Sequence, residues 1–322
     1  MNTRAWLSIG VLMGCAGACF GEPMLAVVIR GEGAVKLFKA KGPGLQLAKK
    51  IPVGKDPSEM CVDPTEKRIY VAETSKNEVA VIDVATQSVV ATFKDPDMKK
   101  LDGCTVSPDS SKLYMIDAQG NALVVFATDS GKVLARIPVG KQPRRALFTR
   151  DGKSVLVSNA REDTISVIDA ASAKVIRAVK TGKEPRDMVW TRDGKFLAVA
   201  LINDDSIAYF KADTLELDQQ VGTERSPQRL AVSLDGELMY SLSRYQNSIS
   251  IAEIGKGGER RFQSTIPVGR YAMNMAMSAD GRYIYTGNTS IDDTISIVDL
   301  RYQKVMNFIS SGAGPGCMIF LK

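Results

Sequence analysis

The chain has no histidine among its 322 residues. That absence removes the usual general base, the commonest metal ligand and the usual axial ligand of haem together. Ser-His-Asp and Cys-His nucleophile schemes are excluded. No Cys-x-x-Cys-His run is present, so covalent haem attachment is excluded too. No P-loop and no Rossmann glycine fingerprint occurs. Aromatics make up only 7% of the chain. Arg244-Tyr245 and Arg270-Tyr271 are the nearest approach to the basic-aromatic interleaving of a single-strand nucleic-acid platform. Clustered Lys/Arg runs are missing as well: without the first 21 residues, whose only charge is Arg4, 41 Lys and Arg stand against 36 Asp and Glu. A net charge of that size favours an anionic ligand or surface, and nucleic-acid binding is not expected. Any catalysis would need a carboxylate or Tyr as base. A non-catalytic role is the expectation.

What is present is a segment that returns every 42 to 45 residues. It carries a proline or its stand-in, an apolar strand, an Asp-Gly turn, a second strand, and then a string such as Thr164-Ile165-Ser166-Val167-Ile168-Asp169. The turns fall at Asp151-Gly152, Asp193-Gly194, Asp235-Gly236 and Asp280-Gly281, with degenerate forms at Asp109-Ser110 and Thr65-Glu66. A repeat of this period means supersecondary units that cannot bury their apolar faces alone and must stack. Four strand-length runs per unit predict an all-β fold, a β-propeller of four-stranded blades. Whole units open at Pro57, Leu101, Pro143, Pro185, Pro227 and Ala272. One further blade remains, split between Gly316 to Leu321 and Met24 to Gly54. The expectation is seven blades in a single domain, residues 22–322, closed by the C-terminal strand joining N-terminal strands, which hides open sheet edges.

Residues 1–21 have the order of an export signal: Arg4, an apolar run from Ala5 to Met13, then small residues. Leu12-Met13-Gly14-Cys15 resembles a bacterial lipobox, with lipidation of Cys15 as the membrane tether. Ala16-Gly17-Ala18 suits ordinary signal peptidase equally. Either route predicts an exported, periplasmic chain whose Cys61, Cys104 and Cys317 meet oxidising conditions.

The string Ile137-Pro138-Val139-Gly140-Lys141-Gln142-Pro143, with Leu156-Val157-Ser158-Asn159 and Thr164 to Asp169, resembles the YVTN-type propeller repeat over essentially the whole mature chain. The size, export signal and seven-unit layout are similar to propeller proteins found with PQQ-dependent alcohol catabolism. The resemblance implies the fold. It also implies, as an alternative to a free-standing binding protein, an accessory subunit of a periplasmic PQQ-type dehydrogenase with PQQ as possible cofactor. A propeller hosts many activities, so chemistry has to come from the site.

Residues after each blade-opening position begin the innermost strands and should ring one channel mouth. They read Ser58-Glu59, Asp102-Gly103, Arg144-Arg145, Arg186-Asp187, Gln228-Arg229, Met273-Asn274 and Gly316-Cys317. Arg144, Arg145, Arg186 and Arg229, with Gln228 and Asp187, are the candidate ligand set for a small anion or an acidic partner protein, since guanidinium groups grip carboxylates and phosphates bidentately. The competing reading pairs these arginines with Asp187, Glu59, Asp102 and Glu184 around a solvated rim. A third reading uses Asp102, Asp187 and Glu59 as paired catalytic carboxylates. Strand alternation sets two sulfur arrangements against each other. With odd positions facing the following blade, Cys61 and Cys104 meet as a disulfide. With the opposite phase, Met273, Met275 and Met277 face Cys317, a soft set suited to Cu(I). Three buried, inert thiols are the remaining alternative.

Overall fold

The structure is a computed structural model describing residues 22–255, 259–289 and 292–321. Residues 1–21, with the expected export signal and Cys15, lie outside the described residues. Seven four-stranded antiparallel sheets form the ring expected from the repeat. Blade 3 shows how the sequence makes one. Pro143–Phe148 is innermost, Ser154–Asn159 and Thr164–Asp169 follow, and Lys174–Lys180 is the outer edge. The third strand is sandwiched between neighbouring blades and buried on both faces. Ile165 and Val167 pack toward blade 4 and Ile168 toward blade 2. Ser166 is buried because its Oγ accepts from Asn159 Nδ2 at 2.9 Å. The fourth strand faces solvent almost throughout.

Seven apolar clusters, one at each blade interface, make up the core. The last interfaces exist because blade 7 is composite. Pro315–Leu321 pairs antiparallel with Met24–Ile29, with Leu321 opposite Met24 and Ile319 opposite Ala26.

Two turn devices recur. In the Asp-Gly turns the aspartate accepts from a Ser or Thr hydroxyl two residues back and from the backbone N–H two residues ahead, as Asp151 does with Thr149 and Lys153. The following glycine has φ near +70° (Gly152 +69°, Gly194 +72°), a conformation glycine adopts without steric cost. The second device lies between the second and third strands. There Asn or Asp sits at positive φ in six blades, and in five of them its side chain accepts the N–H of the residue preceding the next blade's innermost strand. Asn121 holds Gln142, Asp163 holds Glu184, Asp205 holds Ser226, Asn247 holds Tyr271 and Asp293 holds Gly314, all at 2.8 to 2.9 Å. These short polar residues tolerate left-handed backbone, and each blade thereby positions the axial strand of its successor.

Candidate functional site: two tiers of side chains on the propeller axis

The innermost strands do not alternate simply. Each carries one extra residue just after its opening position: Pro143 pairs with Asn159 but Arg145 already with Ser158, and Pro57 pairs with Glu73 but Met60 with Val71. The other five strands show the same shift. A bulge re-aims side chains locally, and here it lets two consecutive residues serve the axis. The result is two tiers.

The outer tier lines a mouth cavity of ≈ 160 Å³ with Ser58, Asp102, Arg144, Arg186, Met273 and Gly316. Arg144 Nη1 donates to Asp102 Oδ2 at 2.9 Å. Arg186 has no carboxylate within ion-pair distance among the described residues. Its guanidinium keeps some exposure to the mouth, yet surrounding protein and the charges of Arg229 and Arg144 push its pKa down to about 10. Gln228, expected in this tier, is buried away from the cavity and donates through Nε2 to Ser226 Oγ at 2.9 Å.

The inner tier holds Glu59, Arg145, Asp187, Arg229, Asn274 and Cys317. Arg229 Nη2 is ion-paired with Glu59 Oε1, and since these residues come from blades 5 and 1, the pair crosses the axis. Arg229 Nε also donates to Asn274 Oδ1 at 3.1 Å. Arg145 lies 3.9 Å from Glu59 Oε2 and 3.2 Å from Asp187 Oδ1. Asp187 Oδ2 accepts the Leu230 N–H at 2.9 Å. Two cations meet two anions, so this girdle is internally neutral. Burial alone would raise the Glu59 carboxyl, but Arg229, Arg145 and Arg186 hold it below the usual carboxylate range. Burial works against the Arg229 guanidinium too, and Glu59 and Asp187 outweigh it, leaving Arg229 above its ordinary value. Glu59 and Asp187 are therefore each ion-paired with an arginine. Position 103 in this tier has to be glycine, because a Cβ there would meet Arg144 O at 2.5 Å.

Of the arginine partners named from sequence, Asp102, Asp187 and Glu59 take that part, whereas Glu184 accepts from Asn203 Nδ2. Cys61 and Cys104 form a disulfide across the interface of blades 1 and 2, with Cα atoms 5.8 Å apart. Cys317 is buried. Its Sγ lies 3.6 Å from Met60 O, to which the thiol donates, and burial with the charge of Glu59 pushes it up to about 12, so it stays protonated. The structure does not gather the Met273, Met275, Met277 and Cys317 set. Met273 is at the mouth, Met275 and Met277 pack toward blade 5, and Cys317 belongs to the cluster facing blade 1. Among the described residues, no group of three or more Cys, Asp or Glu is placed to hold a metal. Sequence reasoning missed the bulge, and it missed the strand-positioning role of Asn121, Asp163, Asp205, Asn247 and Asp293. Their own recurrence at blade spacing was the available signal.

A family model described as YNCE-like beta-propeller matches residues 105–321. The chain belongs to the YNCE-like beta-propeller family. Solved structures similar to this propeller include a functionally unknown protein from Desulfotomaculum acetoxidans. That protein is 16% identical over 91% of this chain and 98% of its own, with a TM-score of 0.78. Kuenenia stuttgartiensis hydrazine synthase is 19% identical over 81% and 88%, with a TM-score of 0.70. At such identities these likenesses speak for the fold alone. No curated protein matches the chain.

Proposed function

We propose that this YNCE-like propeller is an exported, non-catalytic binding protein that takes a small carboxylate anion at its axial mouth, between Arg186 and Arg144. The observation carrying this reading is the imbalance between tiers: the girdle cancels its own charge, whereas Arg186 is surrounded by protein and, among the described residues, has no carboxylate within ion-pair distance, with Asp102 and Glu59 acting on it only from further off. An unpaired cation so placed is costly, and a bound anion removes that cost. Arg144, held from one side by Asp102, supplies a second, already oriented guanidinium. Asp102 disfavours dianions crowding the same spot. Export is supported by Arg4 and the apolar run after it, and the Cys61–Cys104 pairing agrees with an oxidising compartment. The Ile-Pro-Val-Gly and Thr-Ile-Ser-Val-Ile-Asp strings resemble the YVTN-type propeller repeat. Beside a PQQ-dependent dehydrogenase, a mouth of ≈ 160 Å³ would accept one carboxylate arm of the cofactor.

The test is thermal unfolding in rising concentrations of acetate, malonate, citrate and inorganic phosphate. Binding to the folded state raises the midpoint by mass action. We expect at least one carboxylate to do so, and Arg186→Ala to abolish the rise while the variant itself melts no lower than wild type. A midpoint unmoved by every anion, or one moved equally in Arg186→Ala, would overturn the proposal.

A further inference from the structure

The mouth is chemically two-sided. Lys100, Arg144 and Arg186 line it along blades 2 to 4, and among the described residues neither Lys100 nor Arg186 has a carboxylate within ion-pair distance. The other side, from blade 6 round to blade 1, brings Asn274, Thr289, Pro315, Ser58 and Thr74. The charges on that side are already matched: Arg30 holds Asp56 at 2.8 Å, and Glu59 is paired with Arg229. What remains there is a pair of neutral proton donors. Thr74 Oγ1 donates to Ser58 Oγ at 2.9 Å, so the Ser58 hydroxyl keeps its own proton free. A hydroxyl that already accepts is polarised into a better donor. Asn274 is 6% exposed and borders the mouth from the girdle. Its Oδ1 takes the Arg229 Nε–H at 3.1 Å, which fixes the amide and turns Nδ2 away from that arginine, with no acceptor for it among the described residues. A donor so deeply buried and left without an acceptor is uncommon in native proteins. Thr289 is not a third, because its hydroxyl donates to Tyr271 O at 3.0 Å.

We infer that the anion taken at the mouth is a 2-oxo acid, its carboxylate between Arg186 and Arg144 and its keto oxygen turned to Ser58 Oγ and Asn274 Nδ2, an assignment that rests on carboxylate binding at Arg186. The second group follows from what the far side offers. Both open groups there are uncharged donors, so an oxygen that only accepts completes them. A hydroxyl in the same place would have to spend its own proton, and the carboxylates bordering the mouth, Asp102 and Glu59, are each ion-paired with an arginine. A second carboxylate would be repelled by those same two anions. Size agrees. A water's share of liquid volume is about 30 Å³, so a mouth of ≈ 160 Å³ takes about five non-hydrogen atoms, the number in a 2-oxo carboxylate unit. Whatever follows the keto carbon points out through the open end. A site built to hydrogen-bond one ligand oxygen rejects the analogue that lacks it far more sharply than an apolar wall discriminates by size.

Isothermal titration of the purified protein at pH 7 with pyruvate, propionate and lactate tests this. Propionate is pyruvate without the keto oxygen, and lactate carries a hydroxyl in its place. One-to-one binding of pyruvate is expected, with propionate and lactate each at least tenfold weaker. Ser58→Ala and Asn274→Ala should each shrink the preference for pyruvate over propionate at least threefold, whereas Arg186→Ala should abolish binding of all three. Asn274→Ala also takes an acceptor from Arg229, so should that variant fail to melt cooperatively, Ser58→Ala still carries the test. Pyruvate binding no tighter than propionate, lactate binding as tightly as pyruvate, or a preference unchanged in the folded variants would each overturn the assignment and leave the mouth a carboxylate site. No binding by any of the three would instead sink carboxylate binding at the mouth, and the assignment with it.

Discussion

Glu59 and Arg229 are both under a tenth exposed, and their worth is conditional on each other. Removing one partner of a buried pair leaves a bare charge, which costs about 3–5 kcal/mol, whereas replacing both with apolar groups is often near neutral. Glu59→Ala should therefore lose several kcal/mol in urea unfolding, and Glu59→Leu combined with Arg229→Met should recover most of it. A second buried carboxylate behaves oppositely. Burial, and then the charge of Glu78, raise the Glu73 carboxyl above its ordinary value. A folded-state pKa above the unfolded one means that the ionised form destabilises the fold as pH rises past it, and that no penalty exists where the unfolded carboxyl is already protonated. Glu73→Gln should thus raise the melting point at pH 7 and leave it unchanged below about pH 4. The mouth arginines were legible from sequence because they sit at fixed offsets from each blade-opening residue. Their carboxylate partners Asp102, Asp187 and Glu59 were legible on the same ground, but which pairs with which was not: Glu59 and Arg229 are 170 positions apart, and only ring geometry joins them.

At the level of strands, the bulge explains which expectations survived. Simple alternation assigns Met273, Met275 and Met277 to one face. An extra residue after Ala272 breaks that phase, so Met273 turns to the mouth and the other two become interface packing. Blade number and turn positions were readable because each depends on a few local residues repeated at one period. The bulge has no residue signature of its own beyond the opening proline, which Leu101 and Ala272 replace in two blades. The innermost strands of blades 1 and 2 are also joined covalently. The Cys61–Cys104 link spans 43 residues, which in the chain-entropy model restricts the unfolded state by about 4 kcal/mol. Cys61→Ser should lower stability by roughly that amount, and dithiothreitol should bring the wild type to the same value without further effect on the variant. A much smaller loss would mean that the unfolded chain keeps these strands together without the bond.

For the whole molecule, seven interfaces need seven complete blades, and the last is completed by Pro315–Leu321. Leu321 is fully buried in the cluster shared with blade 1, and Met318 and Phe320 fill the interface with blade 6. Deleting residues 319–322 removes three apolar side chains from two interfaces, at about 1.5–3 kcal/mol for each one fully buried, and it uncovers the edge of Met24–Ile29. The truncated chain should melt well below the full-length protein in one transition. Survival of the wild-type midpoint would show that blade 7 holds without its clasp.

That composite blade also imposes an order in time. Met24–Ile29 is made before every other described strand, and it is fully apolar. Ala34–Lys41 pairs with one of its edges at once, but the strand that pairs with the other is made almost three hundred residues later. Until then Leu25, Val27 and Ile29 have no finished sheet to enter, and contacts of such long sequence separation form slowly. An unfinished or stalled chain therefore carries an open, sticky edge at its start. Biosynthesis would favour holding the polypeptide unfolded until the strand that closes the ring is free.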